Sequence, residues 1–333
     1  MGAHAAWLSF KEFPTDASWW PNKSDAKISY KVIVDALFGT GLTRPLTGIY
    51  AEVIEYLTAE REARFNEPAP QPLIVSLDLP SGLNADAAEP IGAAVTADLT
   101  VTFTAPKPAN VLPPASHFNG ELVVADIGSP VQLLEDCASQ LFVAEATDAR
   151  LWLEQTRYTP DSYKNTHGHA LIIAGSRHMT GAPVLTSDAA MRAGAGLVTL
   201  ATPTSAHAAV AARVMPEVMT AALAETEAGA FSEAALEEVK RLSARANVLA
   251  LGPGLTADDE LTRRFVRMLV EQRTTPLVID ADGLNALAPW PAELRGTSEH
   301  PLVLTPHIGE MRRLLGRDND DALADRVAVA RAF

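Results

Sequence analysis

Short apolar runs alternate with longer amphipathic stretches along most of this chain. From Lys31 onward the runs are rich in valine and isoleucine and end at glycine, aspartate or proline, a pattern that is typical of strands. Continuously apolar strands separated by helices favour a parallel sheet that is buried on both faces. The pattern therefore predicts an α/β fold.

The first series of alternating segments predicts one domain over residues 31–130. Its strands are expected at 31–38, 73–77, 99–104 and 122–127, with a helix at 49–62. Residues 1–30 contain Trp7, Trp19 and Trp20 but show neither helical nor strand periodicity, and they are left unassigned.

A second series predicts another domain over residues 151–333, after a connection at 131–150 that includes a short strand at 141–143. Ser232 and Thr256, the latter paired with Asp259, occupy positions where helix caps are expected. The predicted strands are 170–174, 197–201, 218–223, 248–251, 277–280 and 302–304, and the predicted helices are 182–193, 233–246, 258–272 and 322–333.

Composition narrows the class of protein. The 333 residues carry a formal net charge of −14, which provides no broad positive field for nucleic acid or an anionic membrane. The single cysteine, Cys137, cannot form an internal disulfide, and no apolar run reaches the roughly 18 residues that span a bilayer. We expect a cytoplasmic protein with a small-molecule substrate and no nucleic-acid or membrane partner. A homo-oligomer is compatible with the sequence.

Candidate chemistry lies in six loops that follow the predicted strands. Each alone has a plain structural explanation, since glycines make tight turns, carboxylates cap helices and a histidine such as His307 packs in a core. Ligands of parallel sheets, however, collect at the carboxyl ends of strands, where all six are expected. The loops are residues 35–41, 78–82, 174–183, 252–254, 280–285 and 305–310.

The first domain resembles the later half of the NAD(P)H-hydrate epimerase domain. The residues that carry the resemblance are 35–41 (DALFGTG), 78–82 (DLPSG), 97–103 (ADLTVTF), Lys107 and 126–128 (DIG). It implies potassium ligands at Asp35 and Ser81, which suit a hard cation, and a substrate-binding carboxylate at Asp78 that is also a candidate for proton transfer. The loop around the hydrated nucleotide would be Gly39, Thr40, Gly41, Leu42, Thr43, Arg44 and Pro45.

The second domain resembles the ADP/ATP-dependent NAD(P)H-hydrate dehydratase. The resemblance implies substrate contacts at Ala182, Gly254 and His307, and it places Asp282 and Glu310 in the pocket with no assigned role. The motifs that carry it are 174–176 (AGS), 180–183 (TGAP), 192–198 (RAGAGLV), 216–219 (PEVM), 252–254 (GPG), 280–285 (DADGLN) and 305–310 (TPHIGE).

Together the two resemblances imply a Rossmann-like partial domain followed by a ribokinase-like α/β domain that lacks its C-terminal part. The implied reactions are epimerisation of R and S NAD(P)H hydrates and dehydration of the S form with ADP or ATP and magnesium. The epimerase family's upstream phosphate loop and the dehydratase family's downstream anion hole, with its catalytic aspartate, have no counterpart here. We therefore expect a chain truncated at both ends, whose own activity stays open.

Two alternatives remain at this point. One is a ribokinase-like small-molecule kinase with an unrelated Rossmann-like partner, which leaves the motifs at 35–41 and 78–82 unexplained. The other is a catalytically dead nucleotide-binding module.

Overall fold

A computed structural model describes residues 31–63, 72–136, 141–316, 323 and 325–333. The unassigned residues 1–30, Cys137 and the start of the predicted helix at 322 lie outside these ranges. The chain divides between residues 140 and 141 into two compact units, with residues 323–333 grouped with the first. This division falls within the predicted connection, whereas the predicted range 151–333 kept the last residues with the second domain.

The first unit contains a four-stranded parallel sheet in the order β1-β2-β3-β4. The strands are β1 (Val32–Asp35), β2 (Leu73–Leu77), β3 (Leu99–Phe103) and β4 (Glu121–Ala125). The helices are α1 (Ile49–Ala63), α2 (Pro108–Val111) and α3 (Val131–Glu135), and a 3-10 turn covers Ala115–Phe118. All four predicted strands are confirmed, with β1 ending sooner than expected because the chain turns after Asp35.

Only one face of this sheet is well buried. Ile54 and Leu57 of α1 pack with Ile74, Val95 and Ala97 in one core cluster. The alternate positions of the strands are less covered, and Val32, Val34, Leu73 and Val123 are exposed. The expectation of burial on both faces is therefore wrong for the first sheet, because its strands alternate between a packed and an uncovered side.

The second unit contains a six-stranded parallel sheet in the order β10-β9-β8-β5-β6-β7. Its strands are β5 (His169–Ile173), β6 (Leu197–Pro203), β7 (Met219–Leu223), β8 (Val248–Leu251), β9 (Leu277–Ile279) and β10 (Leu302–Leu304). Its helices are α4 (Ala146–Gln155), α5 (Gly181–Arg192), α6 (Thr204–Ala211), α7 (Leu236–Ser243), α8 (Glu260–Gln272), α9 (Asp282–Leu287) and α10 (Ile308–Leu315). The last helix, α11 (Arg326–Ala332), is grouped with the first unit.

Both faces of the second sheet are buried, as predicted. Leu171 and Ile173 of β5 belong to a core in which the rings of Phe231 and Phe265 stack with centroids 5.1 Å apart. Ile172, which points to the other side of the strand, belongs to a separate cluster. Within the described ranges, every helix is too short or too polar to cross a bilayer.

Two local predictions are wrong, and a third is confirmed in position only. Residues 141–143 form no strand, and the unpredicted helix α4 follows them. Helix α8 is capped by Asp259, whose carboxylate accepts hydrogen bonds from the N–H groups of Leu261 and Thr262 at 2.8 and 3.2 Å, and not by Thr256. Ser232 precedes the turn Glu233–Ala235 before α7, as expected, but its side chain makes no capping hydrogen bond.

Candidate functional site

The parallel arrangement brings the predicted loops together within each unit. Because all strands of a sheet run the same way, the loops that follow them share its carboxyl edge. Each unit therefore has one candidate site, and each is described separately.

The first site contains a buried carboxylate that is tied to a serine across 46 residues of sequence. Asp35 is 2% exposed, and its Oδ1 accepts a hydrogen bond from the Ser81 hydroxyl at 2.6 Å. Its Oδ2 accepts hydrogen bonds from the Ser81 N–H at 2.9 Å and from the Ser76 hydroxyl at 2.8 Å. The predicted proximity of Asp35 and Ser81 is confirmed, and their role as cation ligands stays a prediction.

The donor set at this pair suits a hard monovalent cation. The Asp35 carboxylate, the Ser81 hydroxyl and the Phe38 carbonyl, 3.4 Å from that hydroxyl, are all oxygen ligands. The Ser81 oxygen donates to Asp35 and accepts the Phe38 N–H at 3.0 Å, which leaves one lone pair unused. These residues therefore fit the potassium ion that the family resemblance implies.

Asp78 lies directly after β2 in a conformation that is uncommon for a residue with a side chain. Its φ is 69°, and its N–H donates to the Val101 carbonyl at 2.7 Å. Its Oδ1 pairs with the Lys107 ammonium and accepts the Thr102 hydroxyl at 3.2 Å. The half-buried carboxylate is thus held by long-range contacts rather than by its own loop.

The other oxygen of Asp78 faces the predicted nucleotide loop. A β-carbon built at Gly39 would lie 3.4 Å from Oδ2, so this oxygen lies beside the glycine. Among the other residues of the loop, Leu42 is buried, whereas Thr40, Gly41, Thr43, Arg44 and Pro45 are exposed. Asp78 therefore lies next to a loop that is largely exposed.

Sequence reasoning missed the polar support behind Asp78. Thr102 and Asn110 are buried. Lys107 is one of the residues that carry the family resemblance, which assigns it no role. The Lys107 ammonium donates to the Thr102 hydroxyl at 2.9 Å, and the Lys107 N–H donates to the Asn110 side-chain carbonyl at 2.8 Å. The sequence feature that indicates this support is the pair of threonines at 100 and 102, which lie on one face of an otherwise apolar strand.

The second site is a chain of hydrogen bonds across four neighbouring strands. The Thr256 hydroxyl donates to Ser176 at 2.9 Å, and the Thr256 N–H donates to Asp282 Oδ2 at 3.0 Å. The Asn285 amide donates to Asp282 Oδ1 at 3.3 Å, and Arg313 Nε donates to the Asn285 carbonyl at 2.8 Å. Asp282, predicted as a pocket residue, is therefore the acceptor at the centre of this chain.

Backbone strain is concentrated at the same loops. Thr256 and Ala281 have φ values of 68° and 50°, in the left-handed region that favours glycine. Gly252 has a φ of 138°, and a β-carbon there would lie 1.8 Å from the Asp280 carbonyl oxygen. Close backbone packing thus shapes this site together with the side-chain hydrogen bonds.

Gly254 and Ala182, both predicted as substrate contacts, lie together. A β-carbon at Gly254 would lie 3.4 Å from the Ala182 β-carbon and 2.9 Å from that of Met179. The two residues therefore line the same small space next to the start of α5.

His307 has a structural role that the sequence did not predict. It caps helix α10, because its Nδ1 accepts the Gly309 N–H at 3.0 Å while the buried Glu310 accepts the His307 N–H at 2.9 Å. The imidazole is two-thirds exposed, with Nε2 3.3 Å from Glu310 Oε1. Glu310, predicted as a pocket residue, completes this reciprocal cap.

One loop of the second site is fixed by an ion pair. Arg177 lies 3.5 Å from Glu225, and its N–H donates to the Gly229 carbonyl at 2.8 Å. The Ser205 N–H, which donates to Glu225 at 2.8 Å, and the Arg177 guanidinium hold the pKa of Glu225 below its ordinary value of 4.5. The segment after β5 is therefore tied to the segment after β7.

Comparison with known proteins gives two family matches in chain order. Residues 3–109 match the family described as YjeF-related protein N-terminus, and residues 170–333 match the family described as NAD(P)H-hydrate dehydratase. The first match lies within the first unit, and the second covers most of the second unit together with residues 323–333.

Curated relatives contain both regions. A bifunctional NAD(P)H-hydrate repair enzyme Nnr from Thermofilum pendens is 41% identical over 90% of this chain and 54% of its own length. The enzyme of the same name from Moorella thermoacetica is 40% identical over 93% of this chain and 56% of its own length. The chain therefore spans about half the length of these relatives.

One solved structure is similar over part of the chain. It is an ADP/ATP-dependent NAD(P)H-hydrate dehydratase from Bacillus subtilis, co-crystallised with ATP/Mg²⁺, with 26% identity over 53% of this chain and 57% of that one and a TM-score of 0.41. Residues 3–109 therefore belong to the YjeF-related family and residues 170–333 to the NAD(P)H-hydrate dehydratase family, and the chain as a whole is similar to bifunctional NAD(P)H-hydrate repair enzymes over about half of their length.

Proposed function

We propose that this chain carries the substrate-binding parts of a nicotinamide-nucleotide repair enzyme. The first unit would interconvert the R and S forms of hydrated NADH or NADPH. The second would bind the S form for dehydration that is driven by ADP or ATP with magnesium. The observation that carries this proposal is the Asp78 carboxylate, whose Oδ2 lies beside Gly39 inside the region matched by the YjeF-related family.

In the first unit, each group has a task that its position supports. The exposed loop 39–45 would surround the hydrated nucleotide, and Asp78 Oδ2 would bind it and exchange a proton with it. Asp35 and Ser81 would hold potassium, which supplies a fixed positive charge beside an anionic substrate.

In the second unit, the chemistry explains the need for a nucleotide. Hydroxide is a poor leaving group, and phosphorylation of the hydroxyl replaces it with a good one. Ala182, Gly254 and His307 would contact the hydrate, whereas Asp282 and Glu310 would keep the loops of the site in place through their hydrogen bonds. With one cysteine and an acidic net charge, the protein would work in a reducing cytoplasm.

The test for the first unit uses purified R hydrate of NADH and chromatographic separation of the two forms. We expect the wild-type chain to form the S hydrate faster than buffer, with a rate that depends on potassium, and Asp78→Asn to lose this acceleration. Glu121→Gln is the matched control, because it removes one exposed carboxylate at the amino end of β4. A wild-type rate equal to that of buffer would contradict the epimerase assignment.

The test for the second unit is binding of the S hydrate, measured by calorimetry. We expect saturable binding that is weakened by Gly254→Ala. Its control is Gly181→Ala, where no atom lies within 4 Å of an added β-carbon. Equal affinities of the wild type and Gly254→Ala for the S hydrate would remove Gly254 from the binding site.

A further inference from the structure

We propose that Lys107 is a positioning residue that fixes the Asp78 carboxylate by one oxygen, so that only the other oxygen faces the substrate. The proposal rests on the proposed function of the first unit. It assigns a role to a residue that is 29 positions away from Asp78 in sequence and whose ammonium forms no hydrogen bond with the predicted nucleotide loop in the described structure.

The two oxygens of Asp78 differ in their surroundings. Oδ1 pairs with the Lys107 ammonium and accepts the Thr102 hydroxyl at 3.2 Å and the Phe103 N–H at 3.4 Å. Within the described residues no donor reaches Oδ2, which lies beside Gly39. One oxygen is therefore an anchor, and the other is free to act.

The Lys107 ammonium is itself fully used. It has three N–H donors, and its acceptors are Asp78 Oδ1, the Thr102 hydroxyl at 2.9 Å and the Phe103 carbonyl at 3.0 Å. Because all three N–H groups of the ammonium donate to protein acceptors, none is left to donate a hydrogen bond to a ligand. This arrangement distinguishes a positioning role from direct substrate binding.

A second layer of contacts keeps Lys107 in place. The Asn110 side-chain carbonyl accepts the Lys107 N–H at 2.8 Å, and the Asn110 amide donates to the buried Asn119 at 3.0 Å. The Lys107 and Asp78 side chains are only 19% and 17% exposed, so water competes little with their pairing. Rigid support of this kind is what precise placement of a reacting group requires.

Lys107→Met is the main test, since it keeps the length of the side chain and removes the donors. We expect kcat for epimerisation to fall by at least about tenfold with a smaller change in KM, because misplacement of a catalytic group acts on the transition state. Lys31→Met is the matched control, because it removes one exposed lysine at the amino end of β1. We expect it to retain wild-type kinetics.

A milder pair keeps the proposal testable where Lys107→Met does not fold. Thr102→Val removes one donor to Oδ1 and one acceptor of Lys107, whereas Thr102→Ser retains both. We expect a smaller loss of kcat in Thr102→Val and wild-type kcat in Thr102→Ser. Equal kcat values in all the Lys107 and Thr102 variants would overturn the proposal.

Crystal structures separate this proposal from the epimerase assignment. In Lys107→Met we expect Asp78 to turn away from Thr102 and Phe103, which can be observed whether or not the chain epimerises. An inactive wild type would reject the proposed function alone. An unmoved Asp78 carboxylate in Lys107→Met would reject the positioning role, whatever the activity of the wild type.

Discussion

The two candidate sites lie at equivalent edges of their sheets but are built by different means. In the first unit, side chains hold side chains: Asp35 is tied by Ser76 and Ser81, and Asp78 by Lys107. In the second unit, Asp282 accepts hydrogen bonds from the Thr256 N–H and the Asn285 amide, in a network that spans four strands. Strained residues and closely approached glycines occur in both units, as Asp78 and Gly82 in the first and Thr256 and Gly252 in the second. Loss of a carboxylate should therefore damage the first site more, because Asp35 is almost fully buried among its donors.

The largest effect is expected for Gly252→Ala in the second unit. The added β-carbon would lie 1.8 Å from the Asp280 carbonyl oxygen, at a φ of 138° that side chains avoid. We expect the free energy of unfolding of this unit to fall by roughly 4 kcal/mol, measured by hydrogen exchange at the amides of β8 and β9.

Gly181→Ala provides the comparison for that result. Its β-carbon would meet no atom within 4 Å, and alanine favours the helix that begins there. We expect a change of less than about 1 kcal/mol, toward greater stability. Similar losses in the two variants would show that close backbone packing does not shape this site.

The next effect contrasts two carboxylates. Asp35→Ala leaves the Ser76 and Ser81 donors buried and unpaired, so we expect a loss of about 3 kcal/mol from the first unit. Asp280→Ala removes one acceptor, which the exposed Thr305 hydroxyl contacts at 2.8 Å, and should cost about 1 kcal/mol. Denaturant unfolding of both variants checks the contrast, and a larger loss in Asp280→Ala would reverse it.

A smaller effect separates the two roles of His307. His307→Ala removes the cap of α10 and should cost about 1 kcal/mol, whereas asparagine is a good cap and should retain stability. If His307 also contacts the hydrate, both variants bind the S form more weakly. Unchanged binding of the S hydrate by His307→Asn would show that His307 acts only as the cap of α10. Weaker binding by His307→Asn at wild-type stability would show that His307 contacts the hydrate.

The smallest effect concerns pH and Glu225, a side-chain tether in the second unit. Its pKa is lowered in the folded protein by the Ser205 N–H and by Arg177, so its stabilising contribution is present above pH 4.5 and is lost as the pH falls through the folded pKa. We expect Glu225→Gln to be less stable than the wild type near neutral pH. Urea unfolding should show this difference shrinking below pH 4.5, and a constant difference would exclude the ion pair as its cause.

The sequence by itself was sufficient for the α/β class, for the ten strands among the described residues and for the loops that form the candidate sites, although it also predicted a strand at 141–143 that does not form. Hydrophobic periodicity is a local property, and parallel strands necessarily place the loops that follow them at one edge. The proximity of Asp35 and Ser81 follows from that same rule, because β1 and β2 are neighbours.

Other features depend on the direction in which side chains point after folding. Spacing favours Thr256 as the cap of α8 with Asp259 as its partner, but Thr256 has a positive φ, its N–H donates to Asp282, and Asp259 caps the helix instead. The sequence also did not predict that one face of the first sheet is exposed, because a valine in a strand gives the same hydrophobic pattern whether or not another element packs on it. The pairing of Asp78 with Lys107 joins residues on different loops, and only the tertiary structure decides whether their long side chains meet.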